Sequence, residues 1–129
     1  MADQKITDFL LRLYQRTQEG KVAWVKAVED ETFQATFSKG FSIQIAPRPS
    51  VDPTEDEPDY WLTILNETGE VVEEFSNLSF SNVKLLGLYP WVLMKDLHTI
   101  ARRTAMGAGR AIDAIMAELG EDEPEDIPF

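Results

Sequence analysis

The chain has 129 residues, 43% of them hydrophobic and 27% charged, values typical of one globular domain with its own core. It contains no cysteine, which excludes disulfides and thiolate chemistry. Twelve basic and 23 acidic residues give a net charge of −11, which disfavours nucleic acid and anionic lipid as partners and favours basic protein surfaces. Because residues 1–8 lack a signal-peptide core and no apolar run approaches about 18 residues, we expect a cytoplasmic protein with no membrane partner.

The first predicted element is an amphipathic helix that begins after Asp3, a candidate N-cap, and ends before Gly20. Its apolar side chains recur at i, i+3, i+4 and i+7, the spacing of one helix face. The apolar residues are Ile6, Phe9, Leu10 and Leu13, and Thr17 continues the same face.

From Val22 onward the apolar period becomes two, which is typical of half-buried strands. Three short strands separated by the turns 29–31 and Lys39-Gly40 predict an antiparallel meander. The residues expected to share its buried face are Val22, Trp24, Val28, Phe33, Ala35, Phe37, Phe41, Ile43 and Ile45.

Residues 46–59 contain four prolines and five acids, a composition that interrupts strand pairing and indicates an exposed, flexible loop. Tyr60 to Asn66 and Val71 to Phe75 then predict a hairpin around residues 67–70. In its first strand Tyr60, Leu62 and Ile64 share one face, and Trp61, Thr63 and Leu65 the other.

The C-terminal part predicts two helices. The first begins near Pro90, which suits the first turn of a helix, and it carries Leu93, Leu97, Ile100, Ala101 and Thr104 at helical spacing. Gly107 and Gly109 are expected to interrupt it. The second helix has Ile112, Ile115, Met116 and Leu119 on one side and ends at Gly120.

This order predicts an α+β two-layer sandwich, an antiparallel sheet of about five strands with one face covered by an N-terminal helix and two C-terminal helices. We expect a single domain over residues 1–120, followed by a flexible acidic tail over 121–129.

No catalytic or metal-binding constellation is evident. The single histidine, His98, has no second histidine at metal-ligand spacing, and Asp96 is two residues away and therefore faces elsewhere on a helix. The acids of 52–59 lack the spacing of a calcium loop. Residues 107–110 lack the preceding strand of a dinucleotide fingerprint. We therefore expect a non-enzymatic protein with no cofactor and no metal site.

Direct nucleic-acid binding is disfavoured, although two features of the sequence are compatible with it. Strand aromatics can stack on bases; here they are Trp24, Phe33, Phe37, Phe41, Tyr60 and Trp61. Six helical cations are candidates for a basic patch: Lys5, Arg12, Arg16, Arg102, Arg103 and Arg110.

The last nine residues, Glu121-Asp122-Glu123-Pro124-Glu125-Asp126-Ile127-Pro128-Phe129, contain five of the 23 acids and no base. Acids and proline oppose continuation of the helix, yet the segment ends on apolar residues that a purely solubilising tail does not need. Phe129 can enter an apolar pocket while its α-carboxylate pairs with a cation at the rim. Upstream acids would speed encounter with a basic partner.

The sequence Asp126-Ile127-Pro128-Phe129 behind an acidic run resembles the C-terminal tip of bacterial single-stranded DNA-binding proteins. The resemblance covers nine residues of 129 and excludes the body, because that family has an OB-fold. In that family the tip docks on replication, recombination and repair enzymes. The resemblance implies the same partner-binding role for Glu125, Asp126, Ile127, Pro128 and Phe129.

Three functions follow as hypotheses. The first is a non-enzymatic adaptor of a bacterium or phage, whose tip recruits enzymes of DNA replication, recombination or repair that read the single-stranded DNA-binding protein tail. The second is an acidic immunity or antitoxin-type protein that masks a basic effector through the loop 52–59 or strand edges. The third is weak single-stranded nucleic-acid binding by the sheet. Two other interpretations of the tip stay open: that it folds back onto its own domain, and that it is an engineered addition. The oligomeric state is left open.

Overall fold

The computed structural model describes residues 3–80 and 84–120 and has the predicted order of one helix, five strands and two helices. The helices are α1 (Gln4–Gln18), α2 (Pro90–Ala105) and α3 (Ala108–Leu119), and a short 3-10 helix spans Asn77–Ser79. The strands are β1 (Val25–Lys26), β2 (Phe33–Thr36), β3 (Ser42–Arg48), β4 (Asp59–Leu65) and β5 (Val71–Ser76). The prediction of an α+β fold is confirmed.

All five strands form one antiparallel sheet in the order β1-β2-β3-β4-β5, so every neighbour in the sheet is also a neighbour in the chain. Ala35 pairs with Ile43, Ile45 with Leu62, and Leu62 with Phe75. These residues point to the same face because side chains alternate along each strand. They form the sheet side of the core.

The other side of the core comes from α1 and α2. Leu10, Leu93, Met94, Leu97 and Ala101 have no exposed surface. The ends of α1 form as predicted: the Asp3 carboxylate accepts a hydrogen bond from the Ile6 N–H at 2.9 Å, and Gly20 takes a φ of +75°. The caps fix where the helix starts and stops, and the apolar stripe fixes which face is buried.

Three residues predicted for the buried face are exposed. Val28 is 97% exposed, because the chain has already entered the β1–β2 turn, which is closed by a bond from the Ala27 N–H to the Thr32 carbonyl. Phe37 and Phe41 are 46% and 42% exposed. They pair with each other at the tip of the β2–β3 hairpin.

The proline-rich loop is shorter than predicted. Ala46, Pro47 and Arg48 belong to β3 and pair with β4 as far as Asp59. Pro47 lies beyond the end of β2, where one side of β3 has no strand partner, and a residue without an N–H donor is tolerated at such an edge. The loop proper spans 49–58, and residues 51–57 are exposed.

The last helix does not cover the sheet, which corrects the expected role of the second C-terminal helix. Gly107, with a φ of +68°, separates α2 from α3, whereas Gly109 lies within α3. α3 packs against α2, and among its twelve described residues none is buried. Within the described ranges, no helix combines the length and apolar content needed to cross a membrane.

Candidate protein-binding surfaces

His98 is a packing residue. It is 7% exposed, and its Nε2 lies 2.8 Å from the Glu31 carbonyl oxygen. Its ring packs against Phe33 and Tyr60, each with centroids 5.4 Å away. Glu31 has a φ of +54°, an uncommon conformation for a residue with a side chain. The hydrogen bond therefore anchors a strained turn to α2.

Asp96 faces away from His98, as predicted, and binds α1. The Tyr14 hydroxyl donates a hydrogen bond to Oδ2 of Asp96 at 2.6 Å. Burial of Tyr14, followed by the hydrogen bond and the negative charge of Asp96, raises the pKa of Tyr14 to about 12. The two helices are thereby joined through a neutral phenol and a carboxylate.

The other shifted pKa values in the folded body also have structural causes. Arg48 donates to Glu74 at 2.6 Å and, with the Thr63 hydroxyl, lowers the pKa of that carboxyl. Burial raises the pKa of Tyr60, with smaller contributions from the charges of Glu57 and Glu31. Strong shifts mark catalytic sites when the groups converge in a cleft, and these groups instead lie at separate packing and surface contacts.

Metal-ligating side chains do not gather in the part of the chain that the structure describes: no group of three His, Asp or Glu is close enough to hold an ion. The acidic loop directs its carboxylates outward, and Asp52 accepts bonds from the Thr54 N–H and hydroxyl at 2.9 and 2.7 Å. These bonds lower the pKa of Asp52 and shape the turn.

Three of the six helical cations meet along one side of α1. Lys5, Arg12 and Arg16 border a groove of about 640 Å³. They are spaced at i, i+7 and i+11, which returns to the same side of a helix. The other three lie elsewhere: Arg103 and Arg110 flank the α2–α3 junction, and Arg102 pairs with Glu31 at 3.6 Å.

Apolar side chains form the floor of this groove, which we call the α1 groove. Leu13 and Val22 are buried core residues, Phe9 is half-buried, and Phe37 adds an exposed ring from the hairpin tip. An apolar floor between cationic side chains can hold an apolar group and a carboxylate together.

The strand aromatics divide between core and surface. Trp24, Phe33 and Tyr60 are 3%, 1% and 7% exposed, so their faces are closed to a stacking base. Trp61 lies on the opposite face of the sheet, under the Arg48 guanidinium at 4.6 Å from the ring centroid. Phe37 and Phe41 remain at the hairpin tip.

A second apolar surface lies on α3. Ile112, Ile115, Met116 and Leu119 are 47%, 56%, 60% and 77% exposed. Their spacing of i, i+3, i+4 and i+7 aligns them as one stripe. The stripe runs to the end of the helix at Leu119, which Gly120 separates from residue 121. We call it the α3 stripe.

The predicted partner-binding residues Glu125, Asp126, Ile127, Pro128 and Phe129 lie outside the described residues. Their role therefore stays a prediction from the sequence. The α1 groove and the α3 stripe were not predicted as surfaces, although the sequence contains the residues of both.

Comparisons of this chain with models of protein families, with curated proteins and with solved structures found no match.

Proposed function

We propose that the protein is a non-enzymatic adaptor that binds another protein through its C-terminal segment, residues 121–129. The partner class is an enzyme of DNA replication, recombination or repair that reads the tail of single-stranded DNA-binding proteins. The observation that carries the proposal in the folded part is the α3 stripe. It exposes four large apolar side chains on a helix with no buried residue.

A stripe of this kind favours contact with a partner on physical grounds. A helix of about twelve residues is marginal in water and is normally stabilised by burying its apolar face. Among the described helices and strands, only α2 makes substantial contact with α3. The larger part of the apolar surface of α3 is therefore available to another molecule. Helices with such a face bind apolar grooves of partner proteins.

The segment after α3 extends this surface chemically. Five acids with no base precede Ile127, Pro128 and Phe129, so charge steers the encounter and the apolar tip supplies short-range contact. Pro128 restricts the backbone and lowers the cost of ordering. Where Phe129 is the last residue, its α-carboxylate can pair with a cation beside the pocket that takes the ring.

Competition on an immobilised protein tests this proposal. A purified bacterial repair enzyme known to bind the single-stranded DNA-binding protein tip should be retained by the chain and released by a free tip peptide. The matched control carries the same nine residues reordered so that Phe129 moves to position 121, which preserves charge and composition. Equal retention by the native and reordered chains would contradict a role for the tip.

A second candidate, masking of a basic effector, is favoured by the loop 49–58, where Asp52, Glu55, Asp56 and Glu57 are all exposed. In that case the binding free energy would come from the loop carboxylates. Substitution of these four acids by their amides would weaken binding to the basic partner, while removal of residues 121–129 would leave it unchanged.

A further inference from the structure

The α1 groove is a cationic, apolar site on a strongly acidic protein. Its rim contains Lys5, Arg12 and Arg16 against one carboxylate, Asp8. The rest of the chain is dominated by acids, since the whole carries a charge of −11. A groove with this local positive charge favours an anionic ligand.

The rim cations are largely available for such a ligand. In the described part of the chain, no carboxylate forms an ion pair with Lys5 or Arg12, whereas Arg16 pairs with Glu19 at 3.0 Å. Glu19 is also approached by Lys21 at 3.5 Å. Asp8 accepts a hydrogen bond from the Gln4 amide at 2.8 Å. Exposed pairs of this kind contribute little and exchange readily.

The floor of the groove selects an anion that also carries an apolar group. Phe37 is 46% exposed, and together with half-buried Phe9 it offers ring surface next to the cations. A fully hydrated anion would leave this surface in water. A peptide with acids beside an aromatic or aliphatic end would cover it and pair with the rim at the same time.

We infer that the α1 groove is a docking site for the chain's own segment 121–129, so that the protein carries both a tip and a receptor for it. This inference rests on the proposed function, in which the same segment is a docking element. Five acids and Ile127, Pro128 and Phe129 complement the groove in charge and polarity. The α3 stripe is a poorer occupant because its helix carries both signs of charge, Arg110 with Asp113 and Glu118.

Self-docking would regulate the adaptor. A tethered segment meets its receptor at an effective concentration on the order of 1 mM. If the free segment bound the groove with a dissociation constant of about 100 μM, the docked form would dominate by about tenfold, and the apparent affinity for an external partner would fall by a similar factor. The partner would have to displace the segment from the groove.

Peptide binding tests the receptor half of the inference. A fluorescent peptide of residues 120–129 is titrated into the full chain carrying Ile127→Ser and Phe129→Ser, which removes the competing native tip. We expect saturable binding that weakens with salt and falls at least tenfold when Arg12→Glu and Arg16→Glu are added. The matched control is Arg103→Glu with Arg110→Glu, which changes the net charge equally outside the groove and should alter affinity less than twofold.

Any of three results would overturn the inference. The peptide could fail to bind at concentrations up to millimolar, both charge-reversal variants could lose affinity equally, or a peptide of residues 108–119 could bind more tightly than the tail peptide. Analytical ultracentrifugation of the unmodified chain, at low and high micromolar concentration, shows where the segment docks. A chain that stays monomeric docks its segment in its own groove, whereas a chain that associates through the groove docks it in a neighbouring copy.

Titration with the repair enzyme separates the two proposals. If both hold, Arg12→Glu with Arg16→Glu should tighten enzyme binding by about tenfold, because the tip is released. Unchanged enzyme affinity in this variant would overturn the inference and leave the adaptor function intact. Peptide binding to the groove without any enzyme binding would support self-docking and contradict the adaptor function.

Discussion

The Tyr14 hydroxyl lies 2.6 Å from Oδ2 of Asp96, and this contact between residues 82 positions apart in the chain joins α1 to α2. The bond holds α1, and with it the α1 groove, against α2. It also gives the fold a dependence on alkaline pH, because the phenol must be neutral to donate.

The pKa of Tyr14 is raised from 10.0 to about 12 in the folded protein. The unfolded chain therefore releases this proton first, so the contribution of Tyr14 to stability is complete below pH 10 and is lost as pH rises toward 12. The loss is on the order of 2 kcal/mol. Chemical denaturation between pH 8 and 12 measures the free energy of unfolding of the native chain and of Tyr14→Phe. The native chain should lose more stability over this range than Tyr14→Phe, by the amount given above. Parallel pH profiles would contradict the assignment.

The turn from Leu85 to Leu88 offers a stabilising substitution. Leu86 and Gly87 both have positive φ, +53° and +79°, and the flanking residues exchange two backbone hydrogen bonds, the pattern of a type I′ turn. Leucine is poorly suited to this conformation, and its side chain is 52% exposed. Leu86→Asn should raise the free energy of unfolding by about 1 kcal/mol.

Thermal unfolding checks this prediction, with Gly87→Ala as the opposite control, since that change adds a side chain at positive φ and should lower the melting temperature. A lower stability of Leu86→Asn would mean that the leucine side chain makes contacts beyond the turn.

His98 should affect stability and leave binding unchanged. His98→Ala removes the hydrogen bond to the Glu31 carbonyl and the packing on Phe33 and Tyr60, at a cost of about 2–3 kcal/mol. Thr99→Ala, next along the helix and exposed, should change stability by less than about 0.5 kcal/mol. Urea denaturation measures both. Loss of partner binding by folded His98→Ala protein, beyond that of the control, would overturn the structural role.

Substitutions in the α3 stripe should weaken binding and leave stability unchanged, the reverse of the effect expected at His98. Ile115→Ser with Met116→Ser removes exposed apolar surface and no core contact, so the body should unfold within about 0.5 kcal/mol of the native chain. Binding to the tail-reading enzyme should weaken several-fold if the stripe extends the docking surface. Ser substitution at Val71 and Val72, which are 58% and 54% exposed on β5, provides a matched control at a distant surface.

Local signals in the sequence predict most of the fold. Asp3 and Gly20 define α1 because capping depends on a few neighbouring residues, and alternation places Ile43, Ile45 and Leu62 in the core. Alternation cannot say where a strand ends, and for that reason Val28 and Phe37 were wrongly expected to be buried. Tyr14 and Met94, buried at 5% and 0%, were missed because their burial depends on how α1 and α2 meet.

The candidate surfaces depend on how helices and strands are placed in three dimensions, and they are therefore harder to predict from the sequence. Lys5, Arg12 and Arg16 belong to one helix, but the groove also needs Val22 and Phe37, which reach it only through the path of the sheet. Likewise, the apolar period of α3 predicts an amphipathic helix and equally fits a buried one. That its apolar side faces solvent follows only from its position beyond α2.

Isothermal titration calorimetry of the repair enzyme with the intact chain and with a chain lacking Pro128 and Phe129 tests the adaptor function most directly. We predict that removal of these two residues abolishes detectable binding while the unfolding transition of the body stays the same. Equal affinity of the two chains for the enzyme would contradict the account.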